Sequence, residues 1–359
     1  MRIELEPRKA SSRLMVFAAP VMAVLATMVT GAAIFSALGF NGLEAVQQIF
    51  LAPLTSAYRW QDLGVKSAPL ILIALGLAVG FRANVWNIGA EGQYVMGALA
   101  GTGVALATWG MQGWWILPLM CLAGVAGGVA YAAIPALLKT RFSVNEILSS
   151  LMLSYVAVQV LYYLMRGPWK DPQGFNFPQT RMFTDDQILP TVLSGTVVHL
   201  GIPLAFLMAL AMWFIMSKSL FGFQIRVVGT APAAARYGGF SSNGTILAAL
   251  LVSGGFAGFA GILEAAGPYG QMTPQFPVGY GFTAIIVAFL GRLHPIGIVF
   301  AGLVLAVSYV GGELAQSGIG LPKAATGVFQ AMMLFFLLAG DVLVKYRVRI
   351  RSSFTTGDQ

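Results

Sequence analysis

Two uncharged runs, Ser67–Phe81 and Gly92–Leu138, bracket the short stretch FRANVWNIGAEGQ at 81–93. An α-helix rises about 1.5 Å per residue, and a bilayer's hydrocarbon core is about 30 Å thick. The 47-residue run Gly92–Leu138 would be about 70 Å as one helix. It therefore reads as two spans, with TWGMQGWW at Thr108–Trp115 as the turn and its tryptophans in an interfacial belt. The 15-residue run Ser67–Phe81 would rise only about 22 Å. Either that helix is short, or helical turns continue through Arg82–Asn87. Both cases give an irregular or broken membrane segment at Arg82, Asn84, Asn87, Glu91 and Gln93. Irregular backbone at that depth occurs only where protein or a water-filled cavity surrounds it. A transporter fits this pattern better than an anchor.

The whole composition agrees. Hydrophobic residues make up 57% of the 359 and charged residues 9%, against about 25% charged in soluble domains. The 43 glycines suit close helix packing in lipid. The expected fold is all-α: a polytopic helical membrane protein of about ten spans, some short or broken. Leu14–Leu38 is an uncharged run of 25 residues, too long for the apolar core of a cleaved leader, and reads as a retained first span. Residues 39–66 read as an external loop with a short helix. Later spans are expected near Ile147–Met165, Val197–Ser217, Thr245–Glu264, Tyr280–Gly291 (short, after a Pro/Gly-rich approach), Leu293–Gly312 and Ala324–Gly340. Residues 1–13 form a terminal segment, 14–341 the transmembrane domain, and 342–359 a basic tail.

An even number of spans puts both termini on one side. With both termini cytoplasmic, 15 Lys and Arg fall inside and 6 outside, as the positive-inside rule requires. The net charge of +8 is thereby accounted for by topology, and nucleic acid is not an expected partner. The loop at 218–244 is then cytoplasmic and the long polar stretch at 166–196 external.

Several groups are candidates for chemistry. In the 218–244 loop, Thr230 can cap a short helix, with Ala231 beside it and Pro232 in the first turn. Ala233, Ala234 and Ala235 propagate that helix, Arg236 and Tyr237 follow, and Gly238 and Gly239 stop it. Such a small-faced, basic helix is either a solvated connector or a docking element for a cytoplasmic partner. Glu91 and Glu264 are the acids nearest the spans, and ionisable groups there are functional candidates. Glu91 also suits a helix first turn after Asn87 as N-cap, and Glu264 an interface. Asn84, Trp86, Asn87, Glu91, Gln93 and Glu264 are the candidate pathway residues. Trp86, Tyr94, Phe256, Phe259, Tyr269 and Phe282 offer ring faces to a sugar or base, or are ordinary packing. The pairs Gly97/Gly101, Gly124/Gly128 and Gly254/Gly258 read as packing seams. One cysteine and two histidines give no metal or haem cluster, and no catalytic triad can be assembled. The dipeptide Gly-Lys is absent, so there is no Walker-type ATP site. The chain is not expected to be an enzyme or to bind a cofactor.

NVWNIGAEGQYVMGALAG at Asn84–Gly101, NEILSSLMLSYVA at Asn145–Ala157 and GTAPAAARYGGFSS at Gly229–Ser242 resemble permeases of bacterial binding-protein-dependent ABC importers. The nearer branch carries simple sugars and nucleosides, and RGPWKDPQG at Arg166 and the segment Gly267–Gly297 resemble it too. The resemblance implies a multi-pass subunit of the bacterial plasma (inner) membrane that pairs with a second permease, a paralogue or a second copy. It implies a cytoplasmic ABC ATPase, which holds ATP and magnesium, and an external substrate-binding protein docked near 166–196. Residues 230–239 would enter a groove on the ATPase. A nucleoside or simple sugar would be the solute. The alternative is a secondary transporter of a small polar solute, driven by an ion gradient through Glu91 or Glu264.

Overall fold

Each long uncharged run is helical in the computed structural model, which describes residues 2–7, 13–193, 195–322 and 324–351. Arg8, Lys9, Lys323 and residues 352–359 lie outside the described residues, as do the side chains of 2–17 and 341–351. The helices are α1 (Arg13–Ala37), α2 (Gly42–Val46), α3 (Ala57–Arg82), α4 (Ala90–Ala107), α5 (Ile116–Phe142), α6 (Glu146–Arg166) and α7 (Gly201–Lys218). There follow α8 (Leu220–Thr230), α9 (Pro232–Tyr237), α10 (Ser242–Glu264), α11 (Tyr280–Leu290), α12 (Pro295–Ile319) and α13 (Ala324–Lys345). Seven described helices are long and apolar enough to cross a membrane. Tyr280–Leu290 and Ala324–Gly340 are shorter apolar helices, and the 18-residue α4 is more polar. The chain is a polytopic helical membrane protein.

Three expectations change. Span two is neither short nor continued through the break: α3 extends backwards to Ala57 and has 26 residues, about 39 Å. Arg59, Asp62 and Lys66 sit in its first turns, at one end of a helix longer than the hydrocarbon core. Residues 39–66 are thus mostly helical rather than a loop. Second, the 218–244 stretch holds two helices, α8 and α9, where one was expected. Third, the termini are not purely helical or irregular. Strand β1 (Arg2–Pro7) pairs antiparallel with β2 (Tyr346–Arg351), from Arg2↔Arg351 to Pro7↔Tyr346. That ladder holds both chain ends on one side.

Contacts divide the chain into two units, Met1–Pro53 with Gly311–Gln359, and Leu54–Val310. In the first, α1 packs on α13. Gly31 makes room for the Phe329 ring, which Phe35 and Phe50 meet at 5.1 and 5.7 Å between centroids. In the second, α4, α5 and α10 form the densest packing, built on the glycine pairs. A β-carbon on Gly97 would overlap Gly258, and one on Gly128 the carbonyl of Gly254. Without side chains at those points the backbones approach closely, and dispersion contacts replace a hydrophobic driving force that lipid does not supply. Gly76 of α3 faces Ser253 and Phe256 of α10 in the same way.

Candidate functional site

The helix break is real and lies at Ala83–Gly89, between α3 and α4. Arg82 ends α3, and Asn84 turns the chain with φ of 57°, a left-handed conformation that asparagine tolerates better than most residues. Trp86 then folds back over Phe81 and Phe289, with ring centroids 5.1 and 5.6 Å away. Asn87 turns inward and is fully buried. Its amide donates to Gln93 Oε1 at 2.8 Å and to Ser253 Oγ at 2.9 Å. In return, Gln93 Nε2 donates to Asn87 Oδ1 at 3.0 Å, and the Gly89 amide donates to the same oxygen at 3.2 Å. Ser253 lies eleven residues beyond the start of α10, about 16 Å along its axis, whereas Gly89 meets Ser150 only four residues into α6, so the break lies toward the helix ends and the Asn87 side chain reaches inward from it. The side-chain amides answer groups that would otherwise be unsatisfied there.

Glu91 does something the sequence did not show. Its helix, α4, is started by Gly89 rather than by an Asn87 cap. The Glu91 carboxylate instead reaches across to α11, accepting from the Gly279 amide at 2.9 Å and the Gly281 amide at 2.6 Å. Gly281 lies so close to the Glu91 backbone that any β-carbon would overlap it. A carboxylate at a helix N-terminus complements both the bare N–H groups and the dipole. Glu91 therefore ties the first break to the start of α11.

That start ends a second interruption, Ala265–Gly279, which follows α10. A π-turn at Ala265–Tyr269 closes on Gly270, with φ of +63°. Its backbone pairs with the 166–196 loop: Thr180 N to Met272 O at 3.0 Å, Phe183 N to Gly270 O at 2.8 Å, and Leu189 N to Ala266 O at 2.8 Å. His199 packs its ring on Gly267 and accepts from the Gly201 amide at 3.1 Å. Burial lowers this histidine to about 4, so it is neutral at ordinary pH. The loop is also strapped to the end of α4, where the buried Gln187 donates to Ala105 O at 2.9 Å. Its tip is open: Phe175 is 93% exposed.

The candidate pathway residues thus do not form one site. Asn87, Gln93 and Glu91 cluster at the first break. Asn84 and Trp86 lie at its rim, and Trp86 is 37% exposed. Glu264 ends α10, eleven residues past Ser253, about 16 Å farther along. Asn87, Glu91, Gln93 and Glu264 are all buried, so they are interior joints of this conformation rather than an exposed lining. The aromatics also divide. Tyr94 is buried, 4.9 Å from Phe276 and 6.1 Å from Tyr280 between centroids, as packing requires, and Phe282 is 38% exposed. Sequence reasoning did not single out Ser253 or Glu146. Glu146, at the start of α6, pairs with Lys139 at 2.8 Å and accepts a hydrogen bond from the Trp86 backbone.

The 218–244 segment differs from expectation in its caps. Thr230 ends α8 rather than starting α9, its hydroxyl donating to Arg226 O at 2.8 Å. Ala231 occupies the N-cap of α9, which has no side-chain cap, and Pro232 follows at the first position. Ala235 is buried, and Phe240 N returns to its carbonyl at 2.9 Å. Gly238 caps the helix and Gly239 turns left-handed, with φ of +81°. Tyr237 stands 97% exposed. Behind this knob, Gly229 of α8 presses on the end of α3: a β-carbon there would overlap the Arg82 carbonyl oxygen.

The fold defines the chain as a polytopic helical membrane protein with an interrupted span braced against a two-helix knob. The chain belongs to the family described as branched-chain amino acid transport system / permease component, which matches residues 61–338. It is 37% identical over 361 residues to the glucose ABC transporter permease protein TsgB13 of Haloferax volcanii, spanning 98% of this chain and 94% of that one. It is 30% identical over 321 residues to the guanosine ABC transporter permease protein NupP of Bacillus subtilis, spanning 89% and 92%. NupQ, another guanosine ABC transporter permease protein of Bacillus subtilis, is 29% identical over 260 residues, spanning 70% and 81%.

Proposed function

We propose that the chain is a membrane-spanning subunit of an ABC importer for a nucleoside or simple sugar. A second permease completes the pathway, and a separate cytoplasmic ATPase hydrolyses ATP with magnesium. An external binding protein delivers the solute. The observation that carries this reading is the contact of Gly229 with the Arg82 carbonyl. With the termini cytoplasmic, α8 and α9 project into the cytoplasm and present Arg236 and Tyr237 to the ATPase. Closure of the ATPase would push α9, α8 would move with it, and Gly229 would pass the displacement to the end of α3 with no side chain to absorb it. The break at Ala83–Gly89 then shifts, and Glu91 couples it to α11.

The 166–196 loop would lie outside, with Phe175 at its tip offering an apolar anchor to the binding protein. Rim charges such as Arg166 and Asp185 would set orientation more than affinity. Two Bacillus subtilis chains carry guanosine permease names, and this chain is similar to both. That supports a paralogue as the second permease.

An ion-driven carrier that titrates Glu91 fits less well, because both Glu91 oxygens accept backbone N–H groups. The test is uptake by proteoliposomes. The full assembly should import radiolabelled guanosine or glucose only with ATP inside, and this chain alone should import nothing under an imposed proton gradient. Gradient-driven uptake by the chain alone would overturn the proposal.

A further inference from the structure

We infer that the exposed face of α6 is a solute-contacting wall of the pathway, with Tyr155 and Gln159 meeting the ring face and hydroxyls of the passing molecule. The inference rests on the permease function proposed above and adds residues that the broken segment did not reveal. Helix α6 packs by one stripe, in which Ser150 and Ser154 fit against Gly89 and Gly92 of α4. The opposite stripe, Leu148, Met152, Tyr155, Gln159, Tyr163 and Arg166, is exposed along the whole helix. Its spacing of three and four residues is that of a single helix face.

Depth gives that face its meaning. Gln159 is seven residues before the end of α6 and Tyr155 eleven, about 10 and 16 Å inside. A carboxamide and a phenol at those depths are costly against hydrocarbon, and tyrosine in lipid belongs at the interface. Helix α7 shows what a lipid face looks like in the same molecule. From Pro203 to Ile215 its exposed residues, among them Phe206, Leu207, Leu210 and Phe214, are all apolar, and the exposed Ser217 and Lys218 come only at its end. The α6 stripe therefore faces water or polar surface.

At its outer end the stripe borders an open cavity of about 430 Å³ lined by Gln159, Tyr162, Tyr163, Arg166 and Gly167. Small-molecule sites commonly measure about 300–1,000 Å³. The Arg166 guanidinium lies 5.5 Å over the Tyr162 ring, which orients that wall. A tyrosine plane and an uncharged amide suit the chemistry shared by nucleosides and monosaccharides: a ring with one apolar face and hydroxyls at its edge. With few groups on one wall, binding is weak, which lets a solute leave again.

The test uses the assembled transporter with Cys121→Ser as background, in proteoliposomes. Tyr155→Cys and Gln159→Cys are compared with Leu207→Cys and Leu210→Cys on α7, using a membrane-impermeant quaternary-ammonium methanethiosulfonate. The α6 thiols should react at least tenfold faster than those on α7. Vanadate trapping after ATP hydrolysis should change that rate, and binding protein loaded with guanosine or with glucose should slow it. Slowing by either solute supports the wall and says which class passes. Failure of the α6 thiols to react, or no response to either trapping or solute, overturns it. ATP-driven uptake in the same vesicles separates the two readings. Uptake without α6 labelling sinks this inference alone, whereas ATP-independent uptake sinks the permease function beneath it. Gln159→Leu adds a second arm: uptake should fall at least fivefold while the ATPase still co-purifies, and unchanged uptake would count against the wall.

Discussion

Two of the gaps between helices, at Ala83–Gly89 and at Ala265–Gly279, are closed by different means. The first is closed by side chains: Asn87, Gln93 and Ser253 satisfy one another within 3.0 Å. The second is closed by backbone, through the pairings of Thr180, Phe183 and Leu189 with Met272, Gly270 and Ala266. The first abuts the knob through Gly229, and the second abuts the long loop. Glu91 is the bridge, since it starts at one gap and ends on the amides that close the other. A gap closed by a few side chains can be reset by a small displacement. A gap closed by several backbone hydrogen bonds resists it. In this account the first gap moves and the second anchors.

The comparison breaks most visibly at the bridge. Glu91→Leu strands the amides of Gly279 and Gly281, at about 1–3 kcal/mol each. The expected outcome is loss of a monodisperse assembly in detergent, read by size-exclusion chromatography. Glu91→Gln keeps one acceptor and should lose about half as much. If the Gln variant is as stable as the parent yet imports nothing, the carboxylate does proton chemistry and the bridging role fails. Next is the first gap itself. Asn87→Leu leaves Gln93 and Ser253 facing an apolar group, and should lower thermal stability by about 1–3 kcal/mol. The second gap should be harder to disturb. Thr180→Val removes only the hydroxyl that accepts from the Met272 amide at 2.9 Å, and the backbone bond at 3.0 Å remains. A loss of about 1 kcal/mol or less is expected, and uptake per ATP should not change.

The smallest effect at neutral pH is at His199. Its value of about 4 lies below the ordinary 6.5, so the folded loop holds it neutral. Its contribution is complete above pH about 6.5 and is lost as pH falls toward about 4, because the unfolded form takes the proton first. Amide exchange over residues 185–200 should accelerate across that window, and His199→Gln should flatten the dependence.

The first gap was legible in the sequence because polar residues between uncharged runs have few explanations in a membrane. The glycine seams were legible for a similar reason, and so was the turn at Thr108–Trp115, which the structure places between α4 and α5. What escaped depends on distant partners. The sequence gives no sign that Glu91 reaches residues 279 and 281, since its partners there are backbone amides. The strands at Arg2–Pro7 and Tyr346–Arg351 exist only through each other. The start of α3 was misplaced because Arg59, Asp62 and Lys66 read as a loop, although a helix that outruns the hydrocarbon can carry charge at its end. Helix α8 had a usable signal in the three-residue spacing of Gly222, Ile225 and Val228, all buried, hidden by the basic residues around it. The α6 wall was hidden because Tyr155 and Gln159 look like ordinary members of an apolar run until the packing shows which face is left open.

The most direct test of the account is at Gly229. Gly229→Val places a side chain where the Arg82 carbonyl now rests and should hold α8 off the end of α3. In proteoliposomes with the complete assembly, the ATPase should remain bound and continue to hydrolyse ATP, while solute imported per ATP falls at least tenfold. Import per ATP equal to that of the parent would show that the displacement does not enter through this contact.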